Sequence, residues 1–263
     1  MALKVSIITP VLNGESAIAN AIESVIQQDY DNIEHIIIDG NSTDETSSIV
    51  KKYTNHIDIF VSEPDEGVYD AMNKGIKLAT GDIIATLNSD DTYASRYTVR
   101  NMVEFIEIHG LDAAYGDLMY VSCNNTEKIV RFWKAGEYRK SAFCYGWVLP
   151  HPTFFCKKEI FEKYGYYNPN LRVASDFDLL LRFIEKKHIK IGYQPQVIVN
   201  MRTGGKAYGL TGIICGNLEI ISAFRLNDIS LSPWFFIRKP ILKLSQYFRR
   251  PKLYSQMRAS KQI

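Results

Sequence analysis

Apolar residues in the first third of the chain switch between two spacings. Val5 to Thr9 is a short β-branched run closed by Pro10 and by Asn13-Gly14, the pattern of a buried strand that ends in a loop. Ile18, Ile22, Val25 and Ile26 then recur at helical spacing. Ile33 to Ile38 predicts a second buried strand, which stops at Asp39-Gly40-Asn41-Ser42-Thr43-Asp44; Thr43 or Asp44 suits the N-cap of a helix running towards Tyr53. Ile57 to Ser62 predicts a third strand, Val68 to Leu78 a helix ending near Gly81, and Asp82 to Leu87 a fourth strand broken by Asn88-Ser89-Asp90-Asp91. Strands and helices in this alternation predict an α/β fold with a mainly parallel sheet and helices on both faces. Such sheets bind ligands beyond the carboxyl ends of their strands. Three strand ends carry polar clusters, around Asn13, Asp39 and Asp90, and the expectation is that they converge on one rim.

The second half is less regular. Tyr115 to Val121 and Lys128 to Trp133 read as strands around a turn at Asn124-Asn125, Glu159 to Tyr164 as a short helix and Phe177 to Lys187 as a longer one. Ile189 to Met201 predicts two short strands separated by Pro195.

A chain of 263 residues with 46% hydrophobic content can bury the core of one α/β domain with an appendage. Its 31 basic and 29 acidic residues leave a net charge of +2, which gives no strongly basic face and argues against nucleic acid as partner. The charge is uneven, however. From Arg238 onward Lys239, Lys243, Arg249, Arg250, Lys252, Arg258 and Lys261 meet no Asp or Glu, which points to an acidic partner. Trp234, Phe235, Phe236, Ile237, Ile241, Leu242, Leu244, Tyr247 and Phe248 interleave with these cations. The segment therefore reads either as an amphipathic helix lying on an anionic membrane or as a helix docked on the domain. Cys123, Cys144, Cys156 and Cys215 are scattered, with no Cys-x-x-Cys and no zinc spacing, and read as reduced thiols. No apolar stretch approaches the ~20 residues of a spanning helix, and no signal-peptide core forms before Pro10 and Asn13. The expected location is the cytoplasm, including the inner face of the plasma membrane.

Two polar clusters carry candidate chemistry. Asn88-Ser89-Asp90-Asp91 supplies hard oxygen ligands at a rigid strand end, suited to Mg²⁺ or Mn²⁺ bridging a diphosphate; the same residues are also common in turns. Asp39, at its strand terminus, could accept a hydrogen bond from a base N–H or a ribose hydroxyl, or simply belong to the loop. In Ser175-Asp176-Phe177-Asp178, both carboxylates lie in the first turn of a helix, where the dipole favours them by a few tenths to ~1 kcal/mol, so capping accounts for them locally.

Four segments together resemble family-two glycosyltransferases. They are Ser6-Ile7-Ile8-Thr9-Pro10-Val11-Leu12-Asn13; Ile36-Ile37-Ile38-Asp39-Gly40-Asn41-Ser42-Thr43-Asp44; Asp65-Glu66-Gly67-Val68-Tyr69-Asp70-Ala71-Met72-Asn73-Lys74-Gly75; and Thr80-Gly81-Asp82-Ile83-Ile84-Ala85-Thr86-Leu87-Asn88-Ser89-Asp90-Asp91. The resemblance implies a GT-A fold, a Rossmann-like sheet that binds a nucleotide-sugar donor. On that likeness Pro10, Leu12, Asn13 and Glu15 line the nucleotide pocket, Asp39 meets the base or ribose, and Asn73, Lys74 and Gly75 lie near the donor. Asn88 and Asp90 occupy the ends of the Asp-x-Asp metal motif. Because the first carboxylate is an amide here, the metal falls to Asp90 helped by Asp91, while Asn88 and Ser89 take the donor side. Asp176 matches the family's catalytic base, although the residue before it is a serine where an acidic pair is usual.

His151 resembles an acceptor-side element, and Trp147, which could stack on a sugar, and Asp178 are further acceptor candidates. A lone histidine, a core aromatic and a capping carboxylate are the plain readings of the three. Arg202 could reach the diphosphate. The Gln-x-x-Arg-Trp motif of processive synthases is absent, which argues for adding one sugar at a time.

The implied organisation is a GT-A domain over 1–225, with a nucleotide-sugar-binding half (1–100) and an acceptor and catalytic-base half (101–225), followed by a basic amphipathic helical tail (226–263). The implied activity is inverting, metal-dependent transfer from a nucleotide sugar, with UDP-hexose the default, to a lipid-linked saccharide in bacterial O-antigen or exopolysaccharide synthesis. The alternatives are a sugar-nucleotidyltransferase and an inactive nucleotide-sugar-binding protein. The first would want a basic, glycine-rich phosphate loop where Pro10-Val11-Leu12-Asn13-Gly14-Glu15 stands.

Overall fold

The computed structural model describes residues 2–203 and 210–248. Gly204, Gly205, Arg249, Arg250, Lys252, Arg258 and Lys261 lie outside the described residues. In chain order the elements are β1 (Val5–Val11), α1 (Ile18–Ile26), β2 (Ile33–Asp39), α2 (Thr46–Lys51), β3 (Ile59–Ser62), α3 (Val68–Leu78), β4 (Ile83–Thr86), β5 (Thr92–Tyr93) and α4 (Thr98–His109). Then come β6 (Ala113–Ser122), β7 (Asn125–Trp133), β8 (Phe155–Lys157), α5 (Lys158–Tyr164), α6 (Ser175–Leu180), β9 (Ile191–Arg202), α7 (Leu210–Leu226) and α8 (Phe235–Ser245).

One sheet runs in the order β3-β2-β1-β4-β8-β6-β9-β5, with β7 added beside β6. β3, β2, β1 and β4 are parallel, as the alternation of strands and helices predicts, and so are β6 and β9. The short strands β8 and β5 join antiparallel. The register sets Val11 beside Asp39 and Asp39 beside Ser62, so the carboxyl ends of the first three strands form one rim. Alternation along β1 and β2 feeds both faces. Ile8, Ile36 and Ile38 pack under α3, whereas Val5 and Ile7 pack with Ala21 and Val25 of α1 and Val99, Met102, Val103 and Ile106 of α4. Helices thus cover both faces of the sheet.

Several boundaries differ from the sequence expectation for physical reasons. β1 continues through Pro10 to Val11. Leu87 N–H donates to Ile8 O, so Pro10, two residues on, turns its missing donor to the same edge beyond the end of β4, where no ladder bond is lost. The helix after Asp39 has Glu45 at its N-cap, while the carboxylate of Asp44 takes the Thr46 and Glu15 N–H groups just ahead of it. β9 is one strand through Pro195, and not two. Tyr115 pairs with Tyr193 but Asp117 with Val197, a register shift that leaves Pro195 without a ladder partner, so its missing N–H costs no ladder bond. The helix expected over Phe177 to Lys187 is α6 followed by a π-helical turn, Leu181–Lys186. The tail helix α8 docks on the domain: Phe235 is fully buried against Phe177 and Phe224. Its Ile237, Ile241 and Leu244 remain exposed.

Candidate active site

The loops after β1 and β2 are tied together by their own side chains. Asn13 N–H donates to Ser42 Oγ at 2.8 Å, and Asn13 Oδ1 accepts from Thr43 N–H at 2.9 Å. Glu15 Oε2 accepts from Glu45 N–H at 3.0 Å. Asp39 is fully buried, and its carboxylate accepts from the hydroxyls of Ser47 (3.0 Å), Ser62 (2.6 Å) and Ser42, and from Ser42 N–H. In this arrangement Asp39, Asn13 and Glu15 shape the loops, and any contact between Asp39 and a base or ribose exchanges one of these bonds. Leu12 is exposed at the rim, whereas Pro10 is buried in its strand.

The residues after β4 divide their roles. Asp91 is buried; its Oδ2 accepts from Asn88 Nδ2 at 2.9 Å and its Oδ1 from Arg202 N–H at 3.3 Å. Burial, then the neighbouring Asp90 charge, pushes the Asp91 carboxyl up to about 8, against the pull of Asn88 and Arg202. Asp91, expected to help hold metal, ties the β4 loop to β9 through both of its carboxyl oxygens. Asn88, expected on the ribose, spends its amide on the same tie. Asp90 is the partly exposed carboxylate, raised by burial and held back by its own backbone and by Arg202. Among the described residues no group of three or more His, Cys, Asp or Glu could hold a metal ion. One free, incompletely solvated carboxylate fits Mg²⁺ or Mn²⁺ that arrives with a diphosphate and takes most ligands from phosphate and water, and does not fit an all-protein metal cage.

The third motif reaches across to the second half. Asn73 Nδ2 donates to Tyr167 O (2.9 Å), and Tyr167 N–H donates to Asn73 Oδ1 (3.0 Å). Tyr69 stacks on Tyr167 with ring centroids 5.6 Å apart, and the Tyr167 hydroxyl lies 2.6 Å from His151 Nε2. The Tyr69 hydroxyl lies 3.1 Å from both Val173 O and Asp176 Oδ1. Burial, then the Asp176 charge, keeps that phenol protonated. Asp176 Oδ1 also accepts Phe177 N–H at 2.7 Å. The three residues of this motif expected near the donor have the following partners. Asn73 positions Tyr167 from a buried site, and Gly75 lets α3 approach β1, since a Cβ there would stand 2.4 Å from Ile8 Cγ2. Lys74 is paired with Glu63 (2.9 Å) and Asp70 (3.4 Å).

Of the acceptor candidates, His151 is buried and held neutral by desolvation, with Asp176 pulling the other way. Asp178 is buried against Arg182 (2.9 Å) and Asn227 (2.7 Å), a structural tie below the site. Trp147 donates to Ala135 O at 2.8 Å, packs on Tyr115, Tyr138 and Phe143, and still lines the cavity.

That cavity, of about 1830 Å³, opens between the β6/β7/β9 sheet and helices α7 and α8, with Asp176, Phe177 and Trp147 in its wall. Sequence reasoning missed the residue that holds the edge bearing Asp176. Glu219 of α7 accepts the N–H groups of Arg172 (3.1 Å), Val173 (2.8 Å) and Ala174 (2.8 Å), the three residues before Ser175-Asp176. Nothing local marks a single glutamate on a helix for this, since the bonds span 45 residues or more. The structure offers a polar rim with one free carboxylate and, in its second half, an oriented carboxylate facing a large groove, which is equipment for moving a group from a bound donor to a deprotonated hydroxyl.

Residues 6–165 match the family described as Glycosyl transferase family 2. A PGL/p-HBAD biosynthesis glycosyltransferase of Mycobacterium bovis is 29% identical over 204 residues, covering 76% of this chain and 77% of its own. EpsE of Bacillus subtilis (strain 168), named as a glycosyltransferase, is 27% identical over 253 residues, 91% of this chain and 88% of its own. Among solved structures, the Pyrobaculum calidifontis mannosyltransferase PcManGT in complex with GDP-Man and Mn²⁺ superposes with TM-score 0.64 at 19% identity, over 94% of this chain and 70% of that one. S. aureus TarS 1–349 in complex with UDP-GlcNAc gives 0.64 at 19% identity, over 86% and 65%. This chain spans 37% of the longer TarS chain.

Proposed function

The chain belongs to glycosyl transferase family 2 and is a glycosyltransferase, and from that premise we propose that it transfers single sugars, with inversion, from a nucleotide sugar to an acceptor hydroxyl. The family match sets the nucleotidyltransferase alternative aside. The observation that carries the reading is the placement of Asp176 at the wall of the groove, oriented by Tyr69 from the donor-side half. The acceptor enters the groove and Asp176 takes its hydroxyl proton as general base. The oxygen attacks the anomeric carbon as the bond to the donor phosphate breaks, and the electron pair leaves with the nucleoside diphosphate. Asp90 would hold Mg²⁺ or Mn²⁺, which when bound neutralises charge on that leaving group. Arg202, beside Asp90, adds a fixed cation on the same side.

In this reading residues 1–100 bind the donor, 101–225 bear the acceptor and base, and 226–263 form a membrane-facing tail. The neighbours' UDP-GlcNAc and GDP-Man leave both uridine and guanosine donors to be tested, with UDP-hexose first. A lipid-linked saccharide of a bacterial surface polysaccharide, O-antigen or exopolysaccharide, is the proposed acceptor. Support comes from Ile237, Ile241 and Leu244 of α8, exposed among Arg238, Lys239 and Lys243, and from the exposed Ile213, Ile214 and Leu218 of α7. No described helix is long and apolar enough to cross a membrane.

The test combines thermal shift and turnover. One nucleoside diphosphate should stabilise the protein, more so with Mn²⁺, by about 2.7 kcal/mol at a hundredfold excess over its Kd. Asp176→Asn should abolish release of nucleoside diphosphate on acceptor addition while that shift persists. Loss of the shift in Asp176→Asn would instead make Asp176 a structural cap. Flotation with phosphatidylglycerol vesicles should fail for Ile237→Glu/Ile241→Glu; equal flotation would remove the membrane face from the reading.

A further inference from the structure

The groove that receives Asp176 carries a cluster of cations that the transfer reaction does not use. Lys239 and Lys243 are one helical turn apart on α8, so they share a face. Arg131 reaches the same cavity from β7. Two close contacts bring these elements together. Gly146, at φ 86, lets α8 approach so nearly that a Cβ there would lie 2.9 Å from Lys239 N. Phe132 N–H donates to Gln246 O at 3.1 Å, drawing β7 against the end of α8.

Arg131 is only 4% exposed, with its guanidinium 3.7 Å from the centre of the Tyr120 ring and 5.7 Å from that of Tyr247. The amine of Lys239 lies 5.5 Å from the Phe235 ring centre. Among the described residues no carboxylate lies within ion-pair distance of Arg131, Lys239 or Lys243, and from Arg238 to the end the sequence contains no Asp or Glu. Among the described residues the other charged groups lining the cavity are Lys134, Asp117 and Asp176. Asp117 is already bonded to Ala135 N–H and the Tyr193 hydroxyl. Burial, then the Lys243 charge, lowers Lys239, with Asp176 opposing; burial, then Arg131, lowers Lys243. Arg131 is buried, Lys239 is half-buried and Lys243 is exposed at the same groove, so three like charges face one cavity and an anion among them would relieve their repulsion.

We propose that Arg131, Lys239 and Lys243 form a subsite for a phosphate or diphosphate ester carried by the acceptor, which anchors it while its hydroxyl faces Asp176. The inference rests on the reading of the groove as the acceptor site. It narrows the acceptor to a phosphate-bearing one, and the apolar wall formed by Phe236, Leu242 and Ile213 beside the cluster suits an isoprenoid chain on that ester. A buried guanidinium with two ammonium groups beside it favours phosphate through charge-assisted hydrogen bonds.

The experiment titrates full-length protein at low salt with farnesyl diphosphate and with farnesol, and repeats this for Lys239→Gln/Lys243→Gln and for Arg131→Gln. Farnesyl diphosphate should bind tenfold or more weakly to each variant, and inorganic pyrophosphate should displace it from the unaltered protein. Farnesol binding and the thermal shift with nucleoside diphosphate should stay as they were, the latter also showing that the variants fold. Unchanged farnesyl diphosphate binding in both variants would overturn the proposal. So would an equal loss of nucleoside diphosphate binding, which would assign the cluster to the donor. Loss of phosphatidylglycerol vesicle binding with farnesyl diphosphate binding intact would make it a membrane contact. Failure of every nucleotide to bind the unaltered protein would instead strike the donor reading and leave the prenyl diphosphate arm readable.

Discussion

The hydroxyl of Tyr69 lies 3.1 Å from Oδ1 of Asp176, although 107 residues separate the two. Tyr69 sits on α3 and Asp176 in the first turn of α6, so this bond joins the donor-side motif to the proposed base. Tyr69→Phe keeps the ring stacked on Tyr167 and removes only the donor. Turnover should fall about tenfold, or 1.4 kcal/mol in activation free energy, with the KM for donor unchanged. An unchanged kcat would show that Phe177 N–H alone orients Asp176.

Asp90 and Asp91 are neighbours with opposite surroundings, and their variants should separate. Asp91→Ala strands the Asn88 amide and Arg202 N–H and should destabilise the protein by about 1–3 kcal/mol. Asp90→Asn should leave the melting temperature where it was and remove the part of the nucleotide shift that depends on Mn²⁺. A Mn²⁺-dependent shift that survives in Asp90→Asn would move the metal elsewhere.

Glu219 binds three consecutive N–H groups just before Asp176, and acts on it only through the backbone. Glu219→Ala should lower kcat tenfold or more with donor KM unchanged, and Glu219→Gln should restore part of it. If both variants lose donor affinity and turnover together, Glu219 serves general folding and does not position the base.

Acid should unfold the protein in two stages. Burial holds His35 neutral, with its pKa lowered to about 4. The unfolded chain therefore binds the extra proton between about 6.5 and 4, and stability present above 6.5 is lost as the pH falls through that window, by about 3 kcal/mol. Burial raises Glu34, but hydrogen bonds from Lys4, Ser6 and Thr80 outweigh it and hold the carboxyl at about 2. Its contribution, present above the unfolded value near 4.5, is lost between there and 2; discounted for solvent screening it is about 1–2 kcal/mol. Urea titrations at pH 7, 4.5 and 3 should find the first loss absent in His35→Gln and the second reduced in Glu34→Gln. A stability independent of pH from 7 to 4.5 would contradict the assignment to His35.

The parts that could be read from the chain are those whose causes are local. Val68 to Leu78 was predicted as a helix and is α3 to the residue, because its apolar period and flanking glycines act within one segment. The polar clusters at Asn13, Asp39 and Asp90 follow strand ends in sequence and lie at strand ends in space. α4 was also legible: Val99, Met102, Val103 and Ile106 have helical spacing and pack on the sheet, although no helix was predicted there. β5 and β8, of two and three residues, carry too few positions for any period to register.

The sequence by itself determined the alternation of strands and helices, the polar rim and the family likeness, since each depends on residues a few positions apart. Only the tertiary structure decided which of the polar residues are free. It turned Asp91 inward and left Asp90 at the surface, set Asn73 and Gly75 to packing, locked Asp178 to Arg182 and Asn227, and brought Tyr69 and Glu219 to Asp176. The reason is that a carboxylate's role depends on the donors and charges within a few ångströms of it. Those neighbours come from elements tens to more than a hundred residues away, placed by the packing of a core to which no single segment holds the key.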